Sequence, residues 1–158
     1  MAKTGCVWGI DIGQCALKAL RCRRHEDDEN KLSAEAFDYI EYPKILSQPE
    51  ADPVELVREA SRRSGAVVLL KGPDTVVAAP DGRAVINVHA PPSLATAGSG
   101  DVLAGIAAGL VTQGATPLAA GAAAAWLHGE SAYRFRHPGL IAEDLLNGLP
   151  EALESAMN

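Results

Sequence analysis

The spacing of apolar residues changes character near residue 60. Before it the pattern alternates. Val7-Trp8-Gly9-Ile10-Asp11-Ile12-Gly13 predicts a strand entering a tight turn, and Ala16 to Arg23 predicts a second strand with small or apolar residues set against polar ones. Leu32 to Tyr42 predicts a third strand that stops before Pro43, with the acidic stretch His25 to Asn30 as a solvated turn. The three together predict a β-meander. Pro43, Pro49 and Pro53 with polar spacers mark a linker, and Pro53 suits the first position of a helix capped by Asp52. That helix is expected to run to about Ser64 and to end at Gly65.

Beyond it, Ala66-Val67-Val68-Leu69-Leu70 is a continuous apolar run bounded by turn residues, the pattern of a strand buried on both faces of a parallel sheet. Thr75 to Ala79 and Ala84 to Val88 bracket Pro80-Asp81-Gly82, a hairpin turn. Helices are then predicted at 101–112, 117–134 and 141–147, and a last one from Pro150 to the end. Gly105 and Gly109 fall on one helical face, where missing side chains would let a neighbouring backbone approach.

Composition narrows the function classes. The 158 residues are 47% hydrophobic and 22% charged, which fits a globular protein rather than a disordered one. A net charge of −6 argues against binding nucleic acid, because Arg21, Arg23 and Arg24 are followed at once by Glu26, Asp27, Asp28 and Glu29. There is no long apolar run, so membrane insertion and export are not expected and the cytoplasm is the default. Cys6, Cys15 and Cys22 lack the pairing of a zinc or redox motif, and no metal-ligating set is expected from protein side chains.

Two turns carry candidate chemistry. Ala95-Thr96-Ala97-Gly98-Ser99-Gly100-Asp101 joins a glycine-rich turn to a helix start. Free amides there, reinforced by the helix dipole, favour a phosphate or a transferring phosphoryl group, and the amides of Gly98, Ser99 and Gly100 suit that role. Asp101 stands where a general base would take the proton of an acceptor hydroxyl. The plainer alternative is that Ser99 or Asp101 only caps the helix. Lys71-Gly72-Pro73-Asp74-Thr75 is the second turn, and it too follows a predicted strand. In open α/β sheets ligands gather beyond the carboxyl ends of strands, so the two turns can share one crevice. Lys71 is otherwise an ordinary solvated lysine.

From about residue 61 to 157 the chain resembles the C-terminal part of the ADP-dependent (S)-NAD(P)H-hydrate dehydratases of the ribokinase-like superfamily. The strings that carry this are Val67 to Ala78, Leu94 to Ile106, Leu127-His128-Gly129, Leu140 to Leu145 and Leu149-Pro150. The resemblance implies nucleotide-dependent repair of hydrated NADH and NADPH. It assigns ADP or ATP to Lys71 through Thr75 and to Gly100, the hydrate to Asp101, and magnesium to the nucleotide phosphates.

Residues 1 to 60 do not fit that family. Through Trp8 to Gly13 and Ala16-Leu17-Lys18-Ala19-Leu20 they resemble the start of actin-like ATPases, most closely the pilus-assembly protein of the PilM kind. That implies a second phosphate site at Asp11, Gly13 and Lys18. The expected fold is therefore α/β, a partial ribokinase-like segment (61–158) of strands followed by a helical layer, preceded by an actin-like β-meander (1–60), with a junction near Glu59 to Arg62. Each half lacks its complement, and open sheet edges predict a homo-oligomer. Three functions compete: a dehydratase segment, a pilus-assembly nucleotide- or partner-binding module, and a fusion relic without turnover.

Overall fold

The computed structural model describes residues 7–12, 16–24, 32–41 and 52–157. Gly13, Cys6, Cys15, the acidic turn and most of the expected linker lie outside the described residues. The described part divides into two compact units, one within Met1–Leu70 and Val77–Ala84, the other Lys71–Val76 and Val85–Asn158.

In the first unit β1 (Val7–Ile12), β2 (Ala16–Arg24) and β3 (Leu32–Glu41) form an antiparallel sheet in chain order, the meander that alternation predicts. The register sets Asp11 opposite Lys18, and a bulge interrupts β2 between Arg21 and Cys22. Helix α1 (Pro53–Ser64) starts as expected, with the Asp52 carboxylate accepting the Val54 amide at 2.9 Å. It closes at Gly65, whose amide donates to the Ser61 carbonyl at 2.9 Å. The helix is continuous across Glu59 to Arg62, and Glu59 accepts from Arg62 and Arg63 at 2.8 and 2.6 Å. Those two guanidiniums hold the Glu59 pKa down at about 2. Being solvated, the pairs add little stability.

β4 (Val68–Leu70), β5 (Thr75–Ala78) and β6 (Ala84–Asn87) are ordered β4-β5-β6. Pro80-Asp81-Gly82 makes the expected turn, with Gly82 donating to the Ala79 carbonyl at 3.0 Å. The expectation that β4 is buried along its length is not met, and β5 is the strand so buried: every residue from Thr75 to Ala78 is buried, while Leu69 and Leu70 are half-buried. β4 contains only the last three residues of its apolar run.

The second unit is mostly helical: α2 (Ser99–Thr112), α3 (Pro117–Arg134) and α4 (Ala142–Met157). Two predicted C-terminal helices are one, because α4 runs through Pro150. Proline removes the bond to the carbonyl four residues back, here that of exposed Leu146, where solvent can take its place. Leu145 and Ala152, both fully buried, hold the two halves of α4 in the core. Leu94, Ala132, Leu140 and Leu145 form that core beneath the turn preceding α2. Arg134 on α3 bonds Glu130 at 2.9 Å and Glu151 of α4 at 3.1 Å.

Gly105 and Gly109 depart from expectation. No heavy atom lies within 4 Å of a Cβ built at either position, so neither admits a close backbone. Close approach occurs instead at Gly148, where a Cβ would stand 2.8 Å from the Ser131 carbonyl oxygen, and at Gly129.

Candidate functional site

The segment from β6 to α2 passes through a short 3-10 turn at Pro92–Leu94 that sequence pattern did not foretell, and α2 then begins two residues earlier than predicted. Gly98 is the residue at its head, with φ at 79°, a left-handed conformation that only glycine adopts at little cost. No side chain caps this helix. The capping alternative for Ser99 and Asp101 is thereby set aside. Ser99 is buried and turns its hydroxyl backwards, donating to the Leu94 and Thr96 carbonyls at 2.8 and 2.9 Å.

The amides do not stand as the sequence alone suggests. That of Ser99 reaches the Thr96 carbonyl at 3.4 Å, and those of Asp101 and Val102 share the Gly98 carbonyl at 3.1 and 3.2 Å. The Gly98 and Gly100 amides have no such turn bond among the described residues. Space above Gly100 is open, since a Cβ built there meets nothing within 4 Å. These two amides, not the Ser99 amide, are the donors left for an anion.

Lys71 is half-buried, and its ammonium donates to the Leu94 carbonyl at 3.2 Å. The same carbonyl accepts from Ser99 Oγ. One carbonyl thus joins the Lys71 turn to the Gly98–Asp101 turn. Of the other residues in the first turn, Pro73 and Asp74 are exposed, Gly72 is half-buried, and Thr75 is buried at the head of β5. Asp11 and Lys18 belong to the other unit.

Asp101 is exposed in the first turn of α2, at the end of an apolar groove of about 520 Å3 between α2, α3 and α4. Val102, Ile106, Leu110, Leu127, Leu149 and Leu153 line it, and Asp101 is its one charged lining residue among those described. Gly105 and Gly109 also face this groove, which accounts for the space around them. A carboxylate lining an apolar groove can orient a hydroxyl whose carbon frame lies against the aliphatic wall.

His128 was legible as part of a motif but not as part of the site. It is 2% exposed and lies near Lys71 and the backbone of Ser99. Burial, with a smaller push from the Lys71 charge, takes its pKa down to about 4, so the ring is neutral at pH 7. His89 was also unforeseen: its ring bonds Glu130 at 2.9 Å and lowers that carboxyl's pKa. No group of His, Cys, Asp and Glu among the described residues could hold a metal, and no helix among them is long and apolar enough to cross a membrane.

Comparison with known proteins shows the family. The family model described as NAD(P)H-hydrate dehydratase matches residues 38–151. The ADP-dependent (S)-NAD(P)H-hydrate dehydratase of Neisseria meningitidis is 44% identical over 103 residues, 65% of this chain and 35% of that protein. The bifunctional NAD(P)H-hydrate repair enzyme Nnr of Moorella thermoacetica is 46% identical over 110 residues, 67% of this chain and 21% of that protein. Among solved structures, Bacillus subtilis YxkO superposes with a TM-score of 0.64 at 29% identity, covering 71% of this chain and 45% of that one. The Bacillus subtilis ADP/ATP-dependent NAD(P)H-hydrate dehydratase, co-crystallized with ATP/Mg2+, gives 0.61 at 32% identity, covering 65% and 38%. The α/β fold is that of these structures, and the chain spans less than half the length of each of these relatives. Neither the family match nor these relatives lend support to an actin-like origin for residues 1 to 60. The family match spans most of the chain and takes in both turns, so the chain belongs to the NAD(P)H-hydrate dehydratase family.

Proposed function

We propose that the second unit is the nucleotide-binding and catalytic segment of a dehydratase that repairs hydrated NADH and NADPH in the cytoplasm. The observation that carries this reading is the Leu94 carbonyl, which accepts from both Lys71 and Ser99 and so draws the two turns together. Lys71 through Thr75 would hold ADP or ATP, with the Lys71 cation and the Gly98 and Gly100 amides around the phosphates. The open space at Gly100 fits a phosphate oxygen. Magnesium would be held by the nucleotide's own phosphates and water, which suits a site with no metal-holding cluster of His, Cys, Asp or Glu among the described residues; it would neutralise charge on the transferring group.

In this reading Asp101 takes the proton of the nicotinamide-ring hydroxyl as that oxygen attacks the terminal phosphorus of the nucleotide. ADP would leave as AMP. Phosphate is then eliminated from the ring, which restores the reduced cofactor. The test is simultaneous release of phosphate and recovery of NADH absorbance from hydrated NADH with ADP and magnesium; phosphate release without that recovery would contradict it. Because the chain spans a minor part of its relatives, its own turnover is part of what this assay decides.

The division into an actin-like segment (1–60) and a dehydratase segment (61–158) extends this proposal. The register that sets Asp11 opposite Lys18 favours a second phosphate site there, for which the sequence also offers Gly13. ADP binding that survives deletion of residues 66 to 158 would support it, and binding abolished by Lys71→Ala in the full chain would oppose it. Open sheet edges also lead us to propose a homo-oligomer, which a compact monomer in sedimentation would contradict.

A further inference from the structure

The carbonyl of Leu94 accepts from two donors of different kinds. Lys71 Nζ reaches it at 3.2 Å from a half-buried side chain, and Ser99 Oγ reaches it at 2.8 Å from the first residue of α2. Ser99 is 1% exposed and Leu94 5%, which leaves little room for water to replace a lost donor. The Ser99 hydroxyl also lies 2.9 Å from the Thr96 carbonyl. A hydroxyl carries one hydrogen, so it donates fully to one of these two oxygens at a time. Thr96 has a second donor in the Ser99 amide, at 3.4 Å. The hydroxyl hydrogen can therefore turn to Thr96 while Lys71 holds Leu94, and to Leu94 once Lys71 is elsewhere. Neither carbonyl is left bare in either arrangement.

Leaving a buried acceptor unpaired costs more than an ordinary hydrogen bond contributes, so a lysine that alone satisfied Leu94 would be held back by it. We infer that Ser99, through its hydroxyl, is a positioning residue for Lys71: it takes over the Leu94 carbonyl when the ammonium moves to a phosphate oxygen, and so makes that cation available to a nucleotide. The inference rests on the reading of Lys71 as a nucleotide ligand. It gives the Ser99 side chain a part that its amide, engaged with Thr96, does not have. The hydroxyl touches two carbonyls of its own chain, not the reacting atoms.

The test is a double-mutant cycle between Ser99→Ala and Lys71→Met in the full chain, read by titration with ADP and magnesium. In the parent, Ser99→Ala is expected to weaken ADP binding about tenfold, as orphaning one buried acceptor on binding implies. In the Lys71→Met background the same change is expected to alter affinity by less than about twofold, because no cation leaves the carbonyl there. Ser99→Cys keeps the shape but donates weakly, and its effect should fall between. Equal losses in the two backgrounds, or no loss in the parent, overturn the inference, since a serine that only shapes the turn acts whether or not Lys71 is present. ADP binding unmoved by Lys71→Met overturns it too. The same cycle is then read without ligand by urea unfolding. Each single variant leaves Leu94 one of these two donors and the double variant neither, so the double is expected to lower the midpoint by more than the two singles added; a simple sum overturns the inference. If Ser99→Ala does not fold, Ser99→Cys takes its place in both cycles. Failure of the parent to bind ADP sinks the nucleotide-site reading instead, while the ligand-free cycle still judges the exchange of donors at Leu94.

Discussion

Helices α1 and α2 begin in opposite ways. α1 opens on Asp52, whose carboxylate occupies the Val54 amide at 2.9 Å, with proline in the next position removing one donor altogether. α2 opens on a glycine in left-handed conformation with no side-chain cap, and its second residue is again a glycine with open space in front. The carboxylates of the first turns differ as well: Glu55 pairs with Arg58 at 3.1 Å, whereas Asp101 faces the apolar groove. An uncapped start is not by itself a site, since the side chain of Thr116 does not cap α3 either. What sets α2 apart is that Lys71 and the Ser99 hydroxyl converge on the carbonyl of Leu94 just before it. A capped start spends its donors on stability, and an uncapped one supported from behind keeps them for a ligand.

The largest contrast is expected in catalysis. Asp101→Asn should lower dehydration of hydrated NADH by about 10^2 to 10^4-fold with ADP affinity nearly unchanged, and Glu55→Gln should leave both as they are. Equal rates for Asp101→Asn and the parent would remove the distinction between the two first turns.

Next in size is a pH effect from buried His128. The His128 pKa is lowered from 6.5 to about 4. The unfolded chain therefore binds more protons than the folded one between those values, and stability falls as pH drops through that window. It should be complete above about pH 6.5 and reduced by about 3 kcal/mol near pH 4. Urea unfolding at the two pH values checks this, and His128→Leu should flatten the dependence; an equal slope in that variant would assign it to other groups.

Smaller effects separate the caps themselves. Gly98→Ala forces a Cβ into a left-handed conformation and to within 3.1 Å of the Ala142 Cβ, so it should cost about 1–2 kcal/mol and weaken ADP binding. Asp52→Ala should cost about 1 kcal/mol and leave ADP binding unchanged. Thermal melts with and without ADP measure both, and a variant of Asp52 that lost nucleotide would show the starts to be alike.

Much of this was legible where the physics is local. Asp52-Pro53 and Gly65 mark the ends of α1, Pro80-Asp81-Gly82 marks its turn, and alternation marks β1 to β3. Sequence failed where a distant residue decides. Pro150 looks like a helix break until Leu145 and Ala152 are both seen buried against the core. Gly105 and Gly109 carry the spacing of close packing, yet nothing in the local pattern says whether another backbone arrives. The candidate site divides in the same way. Lys71, Gly98, Gly100 and Asp101 were visible in motifs, while the convergence of Lys71 and Ser99 on the Leu94 carbonyl and the burial of His128 exist only in the folded chain. Glu59 to Arg62, the expected junction, lies inside a helix whose start and stop signals fall on either side of it.

Titrating the full chain with ADP and magnesium while following backbone amide resonances tests the central claim most directly. The amides of Gly98, Gly100 and Lys71 should shift together and saturate with one affinity, and those at the start of α1 should stay still. Shifts confined to residues 11–18, or none at Gly98 and Gly100 at saturating ADP, would contradict it.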